Sequence, residues 1–151
     1  MTRFLPLMLV LAGCAASLRG TIAQDGEHTL LEEVDGTASR LRLKKSARLL
    51  AYLDGELVEV EGTRSFGAVG VDTWRVIEGV SGLPAYVGRL DRRGNEIAVF
   101  DHYAQTWFLL ESDVLQEMTP FVGLPVLVEG YLGANQRIRV VHYQVLSEDE
   151  H

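Results

Sequence analysis

The chain has one cysteine, Cys14, and no second thiol with which to close an internal disulfide. Whatever folds must therefore be held by core packing, although an exported protein would be permitted disulfides. Long apolar runs are missing too. The run Phe4–Leu11 (FLPLMLVL) is far short of the ~20 residues that a membrane-spanning helix needs, and no later stretch is longer. Positive charge is scarce: 14 Lys and Arg stand against 21 Asp and Glu, a formal net charge of −7. So acidic a chain makes a poor general binder of nucleic acid, which is gripped by basic patches.

Catalytic and metal signatures are absent as well. There is no Gly-x-Ser-x-Gly elbow and no further cysteine to act as a nucleophile. His28, His102, His142 and His151 do not recur at zinc-ligand spacing. Asp101 and His102 are adjacent, and neighbours on a strand point to opposite faces, so they do not read as a dyad. The terminal Glu148-Asp149-Glu150-His151 reads as a solvated end. These absences predict no enzyme, no cofactor, no metal and no nucleic-acid partner; nothing in the sequence sets an oligomeric state.

What is present begins at the N-terminus. Arg3, the short apolar run and the small residues Ala12 and Gly13 have the layout of an export signal. Leu11-Ala12-Gly13-Cys14 resembles the lipobox of bacterial lipoproteins. The resemblance implies cleavage before Cys14 and acylation of its thiol; the alternative is an ordinary secretory signal with a chance cysteine. Removing residues 1–13 takes Arg3 away and moves the formal charge from −7 to −8. Two or more acyl chains, at about 0.8 kcal/mol per buried methylene, give a stable membrane anchor. Ala15, where an Asp would imply inner-membrane retention, resembles the class destined for the outer membrane and facing the periplasm.

The rest of the chain repeats itself at an offset of 68 positions. Gly20 meets Gly88, Gly26 meets Gly94, Leu41 meets Leu109, Gly55 meets Gly123, and Gly62 meets Gly130. GELVEVEG (55–62) matches GLPVLVEG (123–130), with the alternation of a half-buried strand. After a one-residue slip, Val71 meets Val140 and Trp74 meets Tyr143.

In the first copy, strands are predicted at Leu18–Ala23, Glu27–Val34 and Thr37–Leu43, a short helix at Lys44–Leu53, and strands at Glu56–Glu61 and Asp72–Glu78. In the second they are predicted at Ala85–Asp91, Glu96–Asp101, Gln105–Leu110, Leu124–Tyr131 and Arg137–Leu146. A helix is expected at Glu111–Met118 with Ser112 as N-cap. Three strands, a helix and two strands is the order of an OB-fold. The mature part thus resembles two tandem OB-like five-stranded barrels in a mainly β chain, each with one short helix between strands three and four. SH3-like barrels or one fused sheet are the alternatives. The organisation read is 1–13 signal peptide, 14–80 first repeat, 81–147 second repeat and 148–151 acidic tail. Barrels this small are marginal alone, so the two should pack together.

Two groups of residues are candidates for binding. Tyr103 and Trp107 lie on or beside strands two and three of the second copy, the face on which OB-folds often carry ligands. They offer a stacking surface for a sugar or peptide, or else pack in the core; Trp107 and Phe108 are adjacent, so one should point in and the other out. Arg40, Arg42, Lys44, Lys45 and Arg48 form a basic cluster in an acidic chain. It either meets anionic headgroups, pairs with Glu111, Asp113 and Glu117 of the second copy, or is simply a solvated face. The functional expectation is a non-enzymatic envelope lipoprotein, tied to the membrane through Cys14, that binds another envelope protein. The alternative is a small-ligand or glycan binder using the aromatic face.

Overall fold

The computed structural model describes residues 13–146; the expected signal, apart from Gly13, and the acidic tail lie outside the described residues. The elements run β1 (Cys14–Asp25), β2 (His28–Glu32), β3 (Ala38–Arg42), a 3-10 helix (Lys45–Tyr52), β4 (Leu57–Ser65) and β5 (Ala68–Glu78). The second set is β6 (Ala85–Arg93), β7 (Glu96–Asp101), β8 (Thr106–Glu111), α1 (Leu115–Met118) with a 3-10 turn (Thr119–Phe121), β9 (Pro125–Leu132), a 3-10 turn (Ala134–Gln136) and β10 (Arg137–Val145).

Each set closes a barrel in the order first, second, third, fifth, fourth strand. The third and fifth strands pair parallel, β3 with β5 and β8 with β10, and the other pairs are antiparallel. That order and its single parallel closure are those of the OB barrel. The fold is mainly β, with two five-stranded OB-like barrels in tandem.

The repeated glycines explain why both copies close the same way. A Cβ on Gly20 would run into the Glu32 carbonyl, and one on Gly88 into the Phe100 carbonyl at the equivalent place. Gly62 meets the Gly70 carbonyl as Gly130 meets that of Arg139. At these points the strands approach so closely that only a hydrogen fits. Both fourth–fifth strand pairs also shift register, between Glu61 and Gly62 and between Val140 and His142. Such bulges let a sheet curl into a closed barrel. There are two one-residue slips, in the second–third and the fourth–fifth turns, and the first is taken back across the helix before the fourth strand. As a result Leu41 corresponds to the buried Leu110, not to Leu109 as the ungapped offset implied.

Several predicted boundaries move. β1 starts at Cys14, ahead of Leu18, because it pairs with β4 along Cys14–Thr21 and with β2 along Thr21–Asp25. β4 and β5 extend to Ser65 and Ala68, leaving a two-residue turn, Phe66-Gly67, where the sequence shows no usual turn pair. The first helix is 3-10 throughout. The second shrinks to Leu115–Met118, since β8 runs to Glu111 in register with Arg139. Ser112 is not its N-cap; the Ser112 hydroxyl accepts the Val114 amide at 3.1 Å just ahead of the helix.

Inward positions are filled by aliphatic side chains such as Ile22, Leu31, Val58 and Val60 in the first barrel and Leu90, Val99, Val126 and Ile138 in the second. Each fully buried one contributes about 1.5–3 kcal/mol. The first core does not end at its own barrel: Ala85, Val87, Leu127 and Leu146 of the second set join its buried cluster. His102 stacks on Trp74 across the junction, with ring centroids 3.8 Å apart, and the Trp74 indole N–H donates to the Ser46 carbonyl at 3.1 Å. The two barrels pack on each other, as their small size required.

Candidate binding surfaces

Alternation on β8 turns Phe108 into the second core and Trp107 outward. Trp107 pairs across the ladder with Phe100 of β7; their ring centroids are 5.0 Å apart at 58°. The Arg93 guanidinium lies 4.7 Å from the Trp107 ring centre, a cation–π distance. Leu109, opposite Ala98, continues the apolar strip. In the first barrel the equivalent cross-strand pair is Glu32 and Ala38. The cores of the two copies are alike, whereas this outer face is aromatic in one only.

Tyr103 does not share that face. It sits on the β7–β8 turn, 52% exposed, with the Arg75 guanidinium of the first barrel 5.4 Å from its ring centre. Together with Tyr86, Asp101 and His102 it lines a cavity of about 170 Å³ at the junction. The joint Tyr103/Trp107 surface expected from sequence is thus two separate features. Asp101 and His102 are also divided in their work. Asp101 is buried and accepts the amides of Val87 (3.2 Å), Tyr103 (3.2 Å) and Ala104 (2.7 Å), which shapes the turn. His102 stacks on Trp74, and burial lowers its pKa against the opposing pull of Asp101. Burial, then the Asp101 charge, raises that of Tyr86.

The basic cluster also divides. Arg40 and Arg42 line a groove of about 460 Å³ on the first barrel, with His28, Phe66 and Glu27. Arg42 donates to the Ser65 hydroxyl (3.4 Å) and carbonyl (3.1 Å). Lys44 is drawn into an ion pair with Asp72, while Lys45 and Arg48 are exposed on the 3-10 helix. Among the described residues, none of the five pairs with Glu111, Asp113 or Glu117. The second barrel has a groove at the equivalent place, lined by Glu96, Glu111 and Arg137. There Arg137 bridges Glu96 at 2.7 Å and Glu111 at 3.4 Å, and those partners hold its pKa up. In register, Arg42 stands where the second barrel has Glu111. The charge at that one position is reversed between copies.

No family model and no curated protein matches this chain. Among solved structures, the single-stranded DNA-binding protein from Thermus aquaticus is similar over 93% of this chain and 96% of that one, at 16% identity and a TM-score of 0.36. The assignment of the barrels stands on their strand order and register.

Cys14 is exposed at the first residue of β1, opposite Arg64. Among the described residues no three His, Cys, Asp or Glu side chains gather as a metal site would require, and no helix is long and apolar enough to cross a membrane. Two buried carboxylates had no signal in the sequence. Glu56 and Glu129 are 1% and 0% exposed and interact at the junction. Burial, then the charge of Glu129, pushes the Glu56 pKa up to about 7.

Proposed function

We propose that this chain is a bacterial envelope lipoprotein, anchored through acyl chains on Cys14, whose second barrel is a non-enzymatic interaction module for another envelope protein. Its place in this reading is the outer membrane, facing the periplasm. The observation that carries the reading is the outward Phe100–Trp107 pair with Arg93 beside it, at a position where the sister barrel carries Glu32 and Ala38. Aromatic and arginine side chains dominate the energetics of protein contacts, because they bury large rigid area and still offer polar edges. A barrel that needed only solubility would keep a small or charged residue at each place, as the first does.

Two measurements test the two halves of the proposal. Labelling with a radioactive fatty acid in an exporting bacterial host should mark the chain and fail to mark Cys14→Ser. Crosslinking from intact cells should recover a defined envelope protein with the unaltered chain and lose it with Phe100→Ala/Trp107→Ala, a drop of roughly tenfold or more if these are hot-spot residues. Equal capture by both would sink the assignment of this face. If tryptophan fluorescence instead changes on titration with cell-wall glycan fragments, and no protein is captured, the same face is a glycan platform.

A further inference from the structure

The turn between β4 and β5 is built in an unusual way. Phe66 and Gly67 both have left-handed backbone, with φ of 50° and 73°, the two-residue geometry in which Asn, Asp and Gly are favoured. A bulky aromatic in that conformation is an outlier. Its ring is also 90% exposed, so the fold bears a backbone cost and an exposed-surface cost at one residue and gains almost no packing in return. Strain held at one place in this way points to a use outside the fold.

Position indicates the use. Cys14 is in register with Arg64, and Ser65 with Ala68. Phe66 therefore lies two residues past the neighbour of Cys14, about 7 Å along the strand direction. β1 begins at Cys14, so no spacer separates that residue from the barrel, and the residues before it include the apolar run Phe4–Leu11. β3 runs beside β5, with Arg40 next to Ala68 and Arg42 next to Gly70. Arg42 ties itself to Ser65 of the turn, and Arg64 donates to the Ser39 hydroxyl at 3.5 Å. Arg40 and Arg42 thus share a groove with an exposed ring on a chain of net charge −7, with Glu27 the acid that lines the same groove.

We propose that the Phe66-Gly67 turn, with Arg40 and Arg42, is a bilayer-docking edge: the Phe66 ring enters the boundary between headgroups and acyl chains, and the two guanidinium groups meet anionic phospholipid headgroups. The inference rests on the reading that the residues leading to Cys14 lie at a membrane. An aromatic at the headgroup level and arginines above an anionic leaflet are each favourable there. Combined with a lipid on Cys14, they hold the first barrel flat on the bilayer where a lipid alone would leave it swinging.

The test uses the mature chain, residues 14–151 with Cys14→Ser, which holds every strand of both barrels and has no acyl group. It is floated with phosphatidylcholine vesicles, and with vesicles containing in addition about one third phosphatidylglycerol. The unaltered face should bind the anionic vesicles. Phe66→Asn should lower that partitioning about tenfold, and Arg40→Gln/Arg42→Gln should abolish the preference for phosphatidylglycerol. Asn suits the turn, so the melting temperature of Phe66→Asn should hold or rise, which separates lost binding from lost folding. Failure of the parent to float with either vesicle, or equal flotation of Phe66→Asn, overturns the docking edge and leaves the acyl anchor standing. Vesicle binding by the Cys14→Ser parent, alongside a full-length chain that takes up no fatty acid, has the opposite meaning: the edge stands and the anchor falls.

Discussion

Gly88→Ala should be among the most destabilising single-methyl changes this protein can suffer, at about 3 kcal/mol. The added Cβ would fall inside the van der Waals shell of the Phe100 carbonyl oxygen on the neighbouring strand. Neither partner is the loose end of a side chain; both are backbone, held by the β6–β7 register in which Gly88 faces Asp101. Relief requires the strands to part, and Asp101 is the residue whose carboxylate collects three amides at the end of β7. Overpacking of a rigid interior costs about 1–3 kcal/mol and sometimes more. Gly20→Ala should behave alike, since the same contact recurs with Glu32. Gly133→Ala is the control: its nearest non-neighbouring atom lies 3.7 Å away, and its φ is −100°. Alanine there should be neutral or stabilise by a few tenths of a kcal/mol. Urea denaturation of the three variants decides the matter. Because the first core includes residues of the second set, Gly20→Ala and Gly88→Ala should lower one common transition. Indistinguishable midpoints for Gly88→Ala and Gly133→Ala would show that the close approach is not essential.

Those glycines also make the fold legible in the sequence. Gly20/Gly88 and Gly62/Gly130 recur because each copy has the same two places where strands nearly touch, and the alternating valines between them mark the inward face. Strand order follows from that pattern, and so do the opposite directions of Trp107 and Phe108. What is not legible depends on turns and on neighbours distant in sequence. Phe66 carries no turn signature, since its left-handed backbone runs against its type, so the pattern alone makes β4 and β5 too short. Nearness in sequence groups Tyr103 with Trp107. A residue on a turn follows no strand alternation, and Tyr103 swings toward Arg75 instead. Glu129 reads as the solvent side of an alternating strand, as Glu61 does in the first copy, where it is exposed. Gly79 and Ser81 of the segment joining the barrels pack against Glu129, and no local pattern encodes that.

That buried pair gives the second large expectation: stability that rises on mild acidification, provided Glu56 is present. Glu129 Oε2 accepts the Ser81 amide at 3.1 Å. Glu129 Oε1 and Glu56 Oε2 have no hydrogen-bond partner among the described residues. The Val80 amide favours the charged form of Glu56, but burial and the charge of Glu129 outweigh it and push the pKa from 4.5 up to about 7. The folded chain therefore holds a proton on Glu56 that the unfolded chain has released. The resulting contribution is fully present below about pH 4.5 and is lost as pH rises through 7; at pH 8 the loss is about 2–3 kcal/mol. His102 opposes it over part of that window. Burial lowers the His102 pKa below 6.5, so the unfolded state gains protons first and stability falls as pH drops through 6.5. Comparison with Glu56→Gln cancels the histidine, because both proteins carry it. Glu56→Gln keeps a neutral side chain at every pH. It should be more stable than the parent by about 2 kcal/mol at pH 8, and the gap should close by pH 5. Urea midpoints at pH 5, 6.5 and 8 measure this. A gap that stays constant with pH would mean that the Glu56 pKa does not differ between the folded and unfolded chain. A closing gap would locate the titrating proton on Glu56, beside the segment that joins the barrels.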